Sequence, residues 1–136
     1  MDIATTEQAI IDRLKAKITG PEVEAFPDDP VHYILKSAQG ALLVQYVGSS
    51  YTEPETFFVS VKQSASFDIT VIAKNLRTHT GAYDYLEEVK KTLTGFMIPD
   101  EGRLYPKEDG LRQYLPNKQE WHYGISFGFN AIHEEI

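Results

Sequence analysis

Residues 59–73 read Val-Ser-Val-Lys-Gln-Ser-Ala-Ser-Phe-Asp-Ile-Thr-Val-Ile-Ala. Val59, Val61, Gln63, Ala65, Phe67, Ile69, Val71 and Ala73 share one parity; Ser60, Lys62, Ser64, Ser66, Asp68, Thr70 and Ile72 share the other. Period-two alternation of this kind gives a β-strand one largely apolar face and one largely polar face. Fifteen residues at about 3.3 Å each extend ~50 Å. A compact domain of 136 residues is only roughly 37 Å across. The strand must therefore bend, break into a hairpin, or project from its own domain. Ser64-Ala65-Ser66 is its weakest point, yet it supplies no Gly, Asn, Asp or Pro for a tight turn. A long, bent strand is the expectation.

Working outward toward the N-terminus, Ala41 to Val47 (ALLVQYV) is apolar, β-branched and aromatic, and reads as a buried strand. Gly48 to Pro54 reads as a loop by its turn residues. Asp29-Pro30 opens a second helix, with Val31, Ile34 and Leu35 apolar and an end near Gly40. Val23 to Phe26 is a short strand. Thr5 with Gln8 fits a capping box for an amphipathic helix over 6–17, with Ile10, Ile11, Leu14 and Ile18 at helical spacing and Gly20-Pro21 closing it.

Toward the C-terminus, Asn75 to Gly81 is a polar turn. Ala82, Leu86, Val89 and Leu93 then place a helix over about 81–93, with Asp84, Glu87 and Glu88 early and Lys90 and Lys91 late, as the macrodipole favours. Gly95 stands where a C-terminal cap belongs. Residues 98–117 read as loop, with Arg103-Leu104-Tyr105 as a short edge strand. Trp121, Tyr123, Ile125, Phe127 and Phe129 alternate with His122, Gly124, Ser126 and Gly128, giving a strand with one aromatic face and one nearly bare face.

The chain carries 13 Lys+Arg against 20 Asp+Glu, a formal charge of −7. That balance argues against nonspecific nucleic-acid binding and against adhesion to anionic membranes, which want clustered positive charge. Hydrophobic residues make up 42% and charged residues 24%, a globular rather than disordered composition. Without cysteine there is no disulfide framework and no thiolate chemistry. MDIATTEQAI lacks the basic start and apolar run of a signal peptide, and no stretch has the ~18 apolar residues of a spanning helix.

Gly124-Ile-Ser126-Phe-Gly128 matches the G-x-S-x-G of serine hydrolases, and Ser126 with His133 would be the nucleophile and base. That elbow needs a strand-to-helix turn, with partners later in the chain; here it lies inside an alternating strand, where the glycines more simply let another backbone approach. His32, His79, His122 and His133 show no ligand spacing, and the acidic pairs, Glu53 with Glu55 and Asp100-Glu101 among them, lack a calcium-loop pattern. No phosphate-binding glycine loop occurs. The sequence therefore calls for no metal and no cofactor. The overlong strand remains unexplained, as does the aromatic loading at Tyr46, Tyr51, Tyr105, Tyr114 and Trp121, residue types favoured at interfaces or used to finish a core.

Ala73-Lys-Asn-Leu-Arg-Thr-His-Thr-Gly-Ala-Tyr83, followed by Leu86, Val89, Leu93-Thr-Gly-Phe96, Pro99 and Leu104-Tyr-Pro106, resembles the tail-terminator (tail-completion) proteins of Mu-like bacteriophages. The matching positions are Ala73, Leu76, Gly81, Ala82, Tyr83, Gly95, Phe96, Pro99 and Tyr105; Lys74 stands where the family commonly has arginine. The resemblance touches most of residues 5–130. It implies an α/β (α+β) single domain, a mostly antiparallel sheet flanked by two to three helices, and a non-enzymatic, hexameric ring. That ring would cap the tail tube at the head-proximal end of the virion, stop tail polymerisation and offer the head a docking surface. Its partners would be the tube protein, the head–tail connector protein and, in a contractile tail, the sheath protein, with assembly in the bacterial cytoplasm. No membrane and no sequence-specific nucleic-acid contact is implied. The residues expected at the assembly interface are Lys62, Ser64, Ser66, Asp68, Asn75, Arg77 and His79, with Gly81, Ala82 and Tyr83 fixing strand-to-helix geometry. A head–tail connector, or the cap of a phage-tail-like contractile injection system, is the nearest alternative; a hydrolase using Ser126 and His133 is one of another class.

Overall fold

The computed structural model describes residues 1–54, 59–99 and 101–135, at 59, 60 and 132–135 through the backbone alone. Helix α1 (Ile3–Lys17) leads into strands β1 (Glu22–Ala25), β2 (Ala41–Tyr51) and β3 (Val59–Ala73), followed by helix α2 (Ala82–Leu93) and strands β4 (Tyr105–Leu115) and β5 (Glu120–Glu135). One five-stranded sheet runs in the order β1-β2-β3-β5-β4. Only the β1–β2 pairing is parallel. The architecture is α+β and mostly antiparallel, with two helices, as expected.

β3 spans the residues that its alternation marks out. It pairs with β5 along its whole length, from Val59↔Glu135 to Ala73↔Trp121. β2 leaves it at Tyr51↔Gln63, and β4 leaves β5 at Tyr105↔Gly128. The strand's excess length therefore forms, with the end of β5, a ribbon that outruns both flanking strands. Ala65, Phe67, Ile69, Val71 and Ala73 are buried in the core beneath the helices, with Ile10, Leu14, Leu86 and Val89 above and Leu42, Val44, Ile125, Phe127 and Phe129 beside them. Phe67 stacks on Phe129 at 6.2 Å and meets Tyr46 edge-on at 5.3 Å. Ile72, of opposite parity, joins Ala41 and Leu43 in a small cluster on the other face.

Five local expectations are corrected. Helix α1 is capped by Asp2, whose Oδ1 accepts from the Thr5 N–H at 3.0 Å; Gln8 bonds Asp12 instead, so the helix starts at Ile3 and the Thr5–Gln8 capping box does not form. The helix expected from Asp29 to Gly40 is a single 3-10 turn, Pro30–His32. Beyond it Tyr33 and Leu35 pack with Phe26 on the Ala41–Leu43–Ile72 cluster. That two-residue spacing wins over helical spacing because the sheet needs its second face covered. Gly48 to Tyr51 continue β2 past a bulge at Val47, since pairing with Gln63 to Ser66 overrides their turn propensity. The 98–117 segment holds an eleven-residue strand, β4, in place of a three-residue one. Pro106 is tolerated there because an edge strand leaves one side without ladder bonds. The C-terminal strand likewise outruns its expected 121–129 core. Glu55 and Asp100 lie outside the described residues.

Candidate assembly interface

The turn from Asn75 to Gly81 is held by backbone groups. Ala82 N donates to Asn75 O at 3.0 Å, Tyr83 N to Leu76 O at 3.1 Å, and Gly81 N to Thr78 O at 2.8 Å. The carbonyls of the turn thus satisfy donors at the start of α2, where no side chain caps the helix. A Cβ on Gly81 would stand 2.5 Å from Leu76 O, so only glycine allows the clasp. Asn75 Oδ1 accepts from Thr78 Oγ1. Arg77 and His79 are exposed on the outside of the turn. Lys74 follows β3 and donates to Lys118 O, with Glu120 3.7 Å away, tying the turn between β4 and β5 to the end of β3.

After α2, Gly95 takes a left-handed φ of +82°. Its N–H donates to Leu104 O at 2.8 Å while Arg103 Nη1 donates to its carbonyl. Arg103 belongs to an isolated bridge with Met97, and Phe96 is roofed by Arg13 at 5.2 Å. Pro99 and Tyr105 are exposed.

The expected interface residues of β3 separate into two kinds. Lys62 and Ser64 are exposed, Ser64 Oγ donating to Asn130 Oδ1 at 3.0 Å. Ser66 and Asp68 are already engaged from across β5. Lys107 Nζ donates to Ser66 Oγ at 2.8 Å, and Arg112 Nη2 lies 3.1 Å from Asp68 Oδ1, which Ser126 Oγ also reaches at 2.7 Å. Asp68 keeps only 8% exposure. Lys107 and Arg112 are the unpaired residues at the two register shifts of β4. A bulge re-aims its extra side chain, and here each sends a cation over a glycine of β5: a Cβ on Gly124 would sit 2.5 Å from Arg112 Cζ, and one on Gly128 3.0 Å from Lys107 Cδ. The bare face is therefore filled by side chains, not by another backbone. Ser126 stands mid-strand, with no strand-to-helix elbow. His133 is seven residues further along β5, about 23 Å at ~3.3 Å per residue, so the two cannot form a catalytic pair.

β4 ends the sheet, and its outer edge has no neighbour among the described residues. Nearly every residue along it is exposed, Leu111 and Tyr114 included. Lys90 of α2 reaches it with a 3.1 Å bridge to Asp109, which together with Glu87 raises the pKa of Lys90. On the helix-bearing face Tyr83 meets Tyr123 edge-on at 6.1 Å, Arg77 lies 5.6 Å over the Tyr83 ring, and Tyr114 packs on Trp121 at 4.4 Å. Leu111 pairs with Tyr123 and Tyr114 with Trp121, so these side chains share that face. Burial, then the Tyr83 hydroxyl, pushes the Tyr123 pKa up. Tyr, Trp and Arg are the residue types that dominate interface energetics. Arg77, Tyr83, Tyr114 and Trp121 stand out singly in the sequence and Tyr123 only as part of an aromatic strand face, while nothing there marks Lys107, Arg112 or Leu111. The four-residue spacing of Gly124 and Gly128 is the one signal for the cross-strand bridges.

Among the described residues no cluster of three or more His, Asp or Glu is placed to hold a metal, and no helix is long and apolar enough to cross a membrane. The fold and its exposed features define an α+β sheet protein whose most developed surfaces are an open strand edge and an aromatic corner. The chain belongs to the Gp37 family, whose model (described as "Gp37 protein") matches residues 10–134. Among solved structures, it is similar to a chain of the virion of a native gene transfer agent (GTA) particle, with a TM-score of 0.57 and 17% identity over 96% of this chain and 98% of that one. Among curated proteins none matches significantly.

Proposed function

We propose that this protein is a structural component of a phage or phage-like particle and acts as its tail terminator. In this reading copies of the chain form a ring, expected to be a hexamer, on the last ring of the tail tube. The ring ends tube growth and presents a surface to the head–tail connector, and in a contractile tail it also meets the sheath. The observation that carries the proposal is the fold likeness to a virion chain along nearly the whole length of both. The 73–106 motif resemblance supports it, and the free β4 edge supplies what ring assembly requires, since unpaired edge groups are satisfied by a neighbouring strand. Contacts that repeat head to tail and close make rings.

Tube subunits polymerised with and without the purified protein test this. Termination requires tubes to stop growing once the protein is added, with its density at one tube end only. Unchanged growth and no end density would contradict it; density at the head vertex without any effect on tubes would favour the connector reading.

A further inference from the structure

We infer that the corner formed by Arg77, Tyr83, Tyr123 and Leu111 receives the Val31–Ile34 loop of a second copy of this chain, joining copies head to tail. The inference rests on the ring reading for its setting and adds to it the two surfaces that meet.

Val31 and Ile34 are the most exposed of the large apolar residues described, at 79% and 76%. They are held outward on an anchored segment. Tyr33 and Leu35, on either side of Ile34, pack against Ala41, Leu43 and Ile72. Lys118 Nζ grips Tyr33 O at 3.1 Å, and His32 N closes the 3-10 turn onto Asp29 O. Val31 in the closed 3-10 turn and Ile34 between two partly buried neighbours are pre-organised for a contact, with little ordering entropy left to lose.

The corner offers a matching surface. Tyr83 and Leu111 are exposed, Tyr123 is half-buried between them, and Arg77 lies on the Tyr83 ring. Among the described residues Arg77 makes no ion pair. Asp28 and Asp29 precede the loop and are exposed; Asp29 Oδ2 already lies 2.6 Å from His32 Nδ1, whereas Asp28 makes no ion pair among the described residues. A chain of net charge −7 repels its own copies at long range, so a specific self-contact gains most where a cation without an ion partner meets carboxylates. Arg77 against Asp28, with Asp29 and its His32 beside it, is such a place.

The two surfaces lie on opposite faces of the sheet. Tyr123 packs with the helix-side core, and Leu111 is its register partner, whereas the loop covers the Ala41–Leu43–Ile72 face. One chain therefore cannot join its own loop to its own corner, and the contact between two copies is heterologous. It leaves one free loop and one free corner at every stage, which is how a ring grows until it closes.

Sedimentation and native mass measurements on the full chain test this. Wild type should self-associate. Arg77→Glu and the double variant Val31→Asp with Ile34→Asp should each associate at least about tenfold more weakly, the effect of losing one interface hot spot. Both should keep the wild-type circular dichroism, and the wild-type melting temperature at dilutions where wild type is itself monomeric, because every changed side chain is exposed. An equal mixture of the two variants has one intact loop and one intact corner, and should give dimers and nothing larger. Arg77→Glu combined with Asp28→Arg and Asp29→Arg should restore assembly. A wild type that stays monomeric overturns the contact. Variants that assemble like wild type overturn it while leaving the terminator reading standing. If the variants dissociate as expected but tubes grow unchecked beside wild type, the contact stands and the terminator reading falls.

Discussion

Arg112 Nη2 lies 3.1 Å from Asp68 Oδ1 although β5 runs between their strands. The bridge exists because Arg112 occupies a bulge and because residue 124, beneath it, has no side chain. It fastens the exposed edge strand to the middle of the sheet.

Gly124→Ala should therefore act through Arg112. The added methyl displaces the guanidinium, and nearly buried Asp68 keeps only the Ser126 hydroxyl. Urea denaturation of Gly124→Ala, Arg112→Ala and the double variant should show a coupling of about 1 kcal/mol, as for residues sharing one network. Simple additivity would contradict the bridging role.

Gly81→Ala should cost about 1–3 kcal/mol, as overpacking does. Its φ of −87° is ordinary, so the penalty is the collision with Leu76 O. Gly110→Ala, where nothing lies within 4 Å of the new methyl, should stay within about 0.5 kcal/mol of wild type. Equal effects in thermal melts would mean that the 75–83 clasp is not tightly packed.

Phe67→Ala should cost about 3–5 kcal/mol, since it removes a fully buried ring between Tyr46 and Phe129. Denaturant midpoints measure this, and a loss under 1 kcal/mol would contradict the core described.

Burial and then the Glu24 carboxylate push the Tyr33 pKa up to about 12, from 10.0 for an ordinary tyrosine. The folded chain thus holds this proton more tightly than the unfolded one. The contribution of Tyr33 is complete below pH 10 and is lost as pH rises from about 10 to 12. Melting temperatures across that window should fall more steeply for wild type than for Tyr33→Phe. Tyr85 and Tyr123, also raised by burial, are common to both proteins. Parallel declines would rule out a buried Tyr33.

β3 was legible in the sequence because its helix-side residues from Gln63 to Ala73 are all buried, so their alternation with the mostly polar other parity marks the strand. β4 was not, since a strand exposed on both faces needs no alternation, and its purpose shows only once Gly124 and Gly128 are seen beneath Arg112 and Lys107. The 29–40 segment misled because Val31, Ile34 and Leu35 sit at helical spacing, while the residues that turn inward are Tyr33 and Leu35. The aromatic corner joins Tyr83 to Tyr123, forty residues apart, and only the sheet order brings them together.

Electron micrographs of particles made without this chain decide whether it ends tail growth, as proposed. Tails should then be of uncontrolled, excessive length and fail to join heads, with normal length restored when the protein is supplied. Tails of normal length in its absence would contradict it.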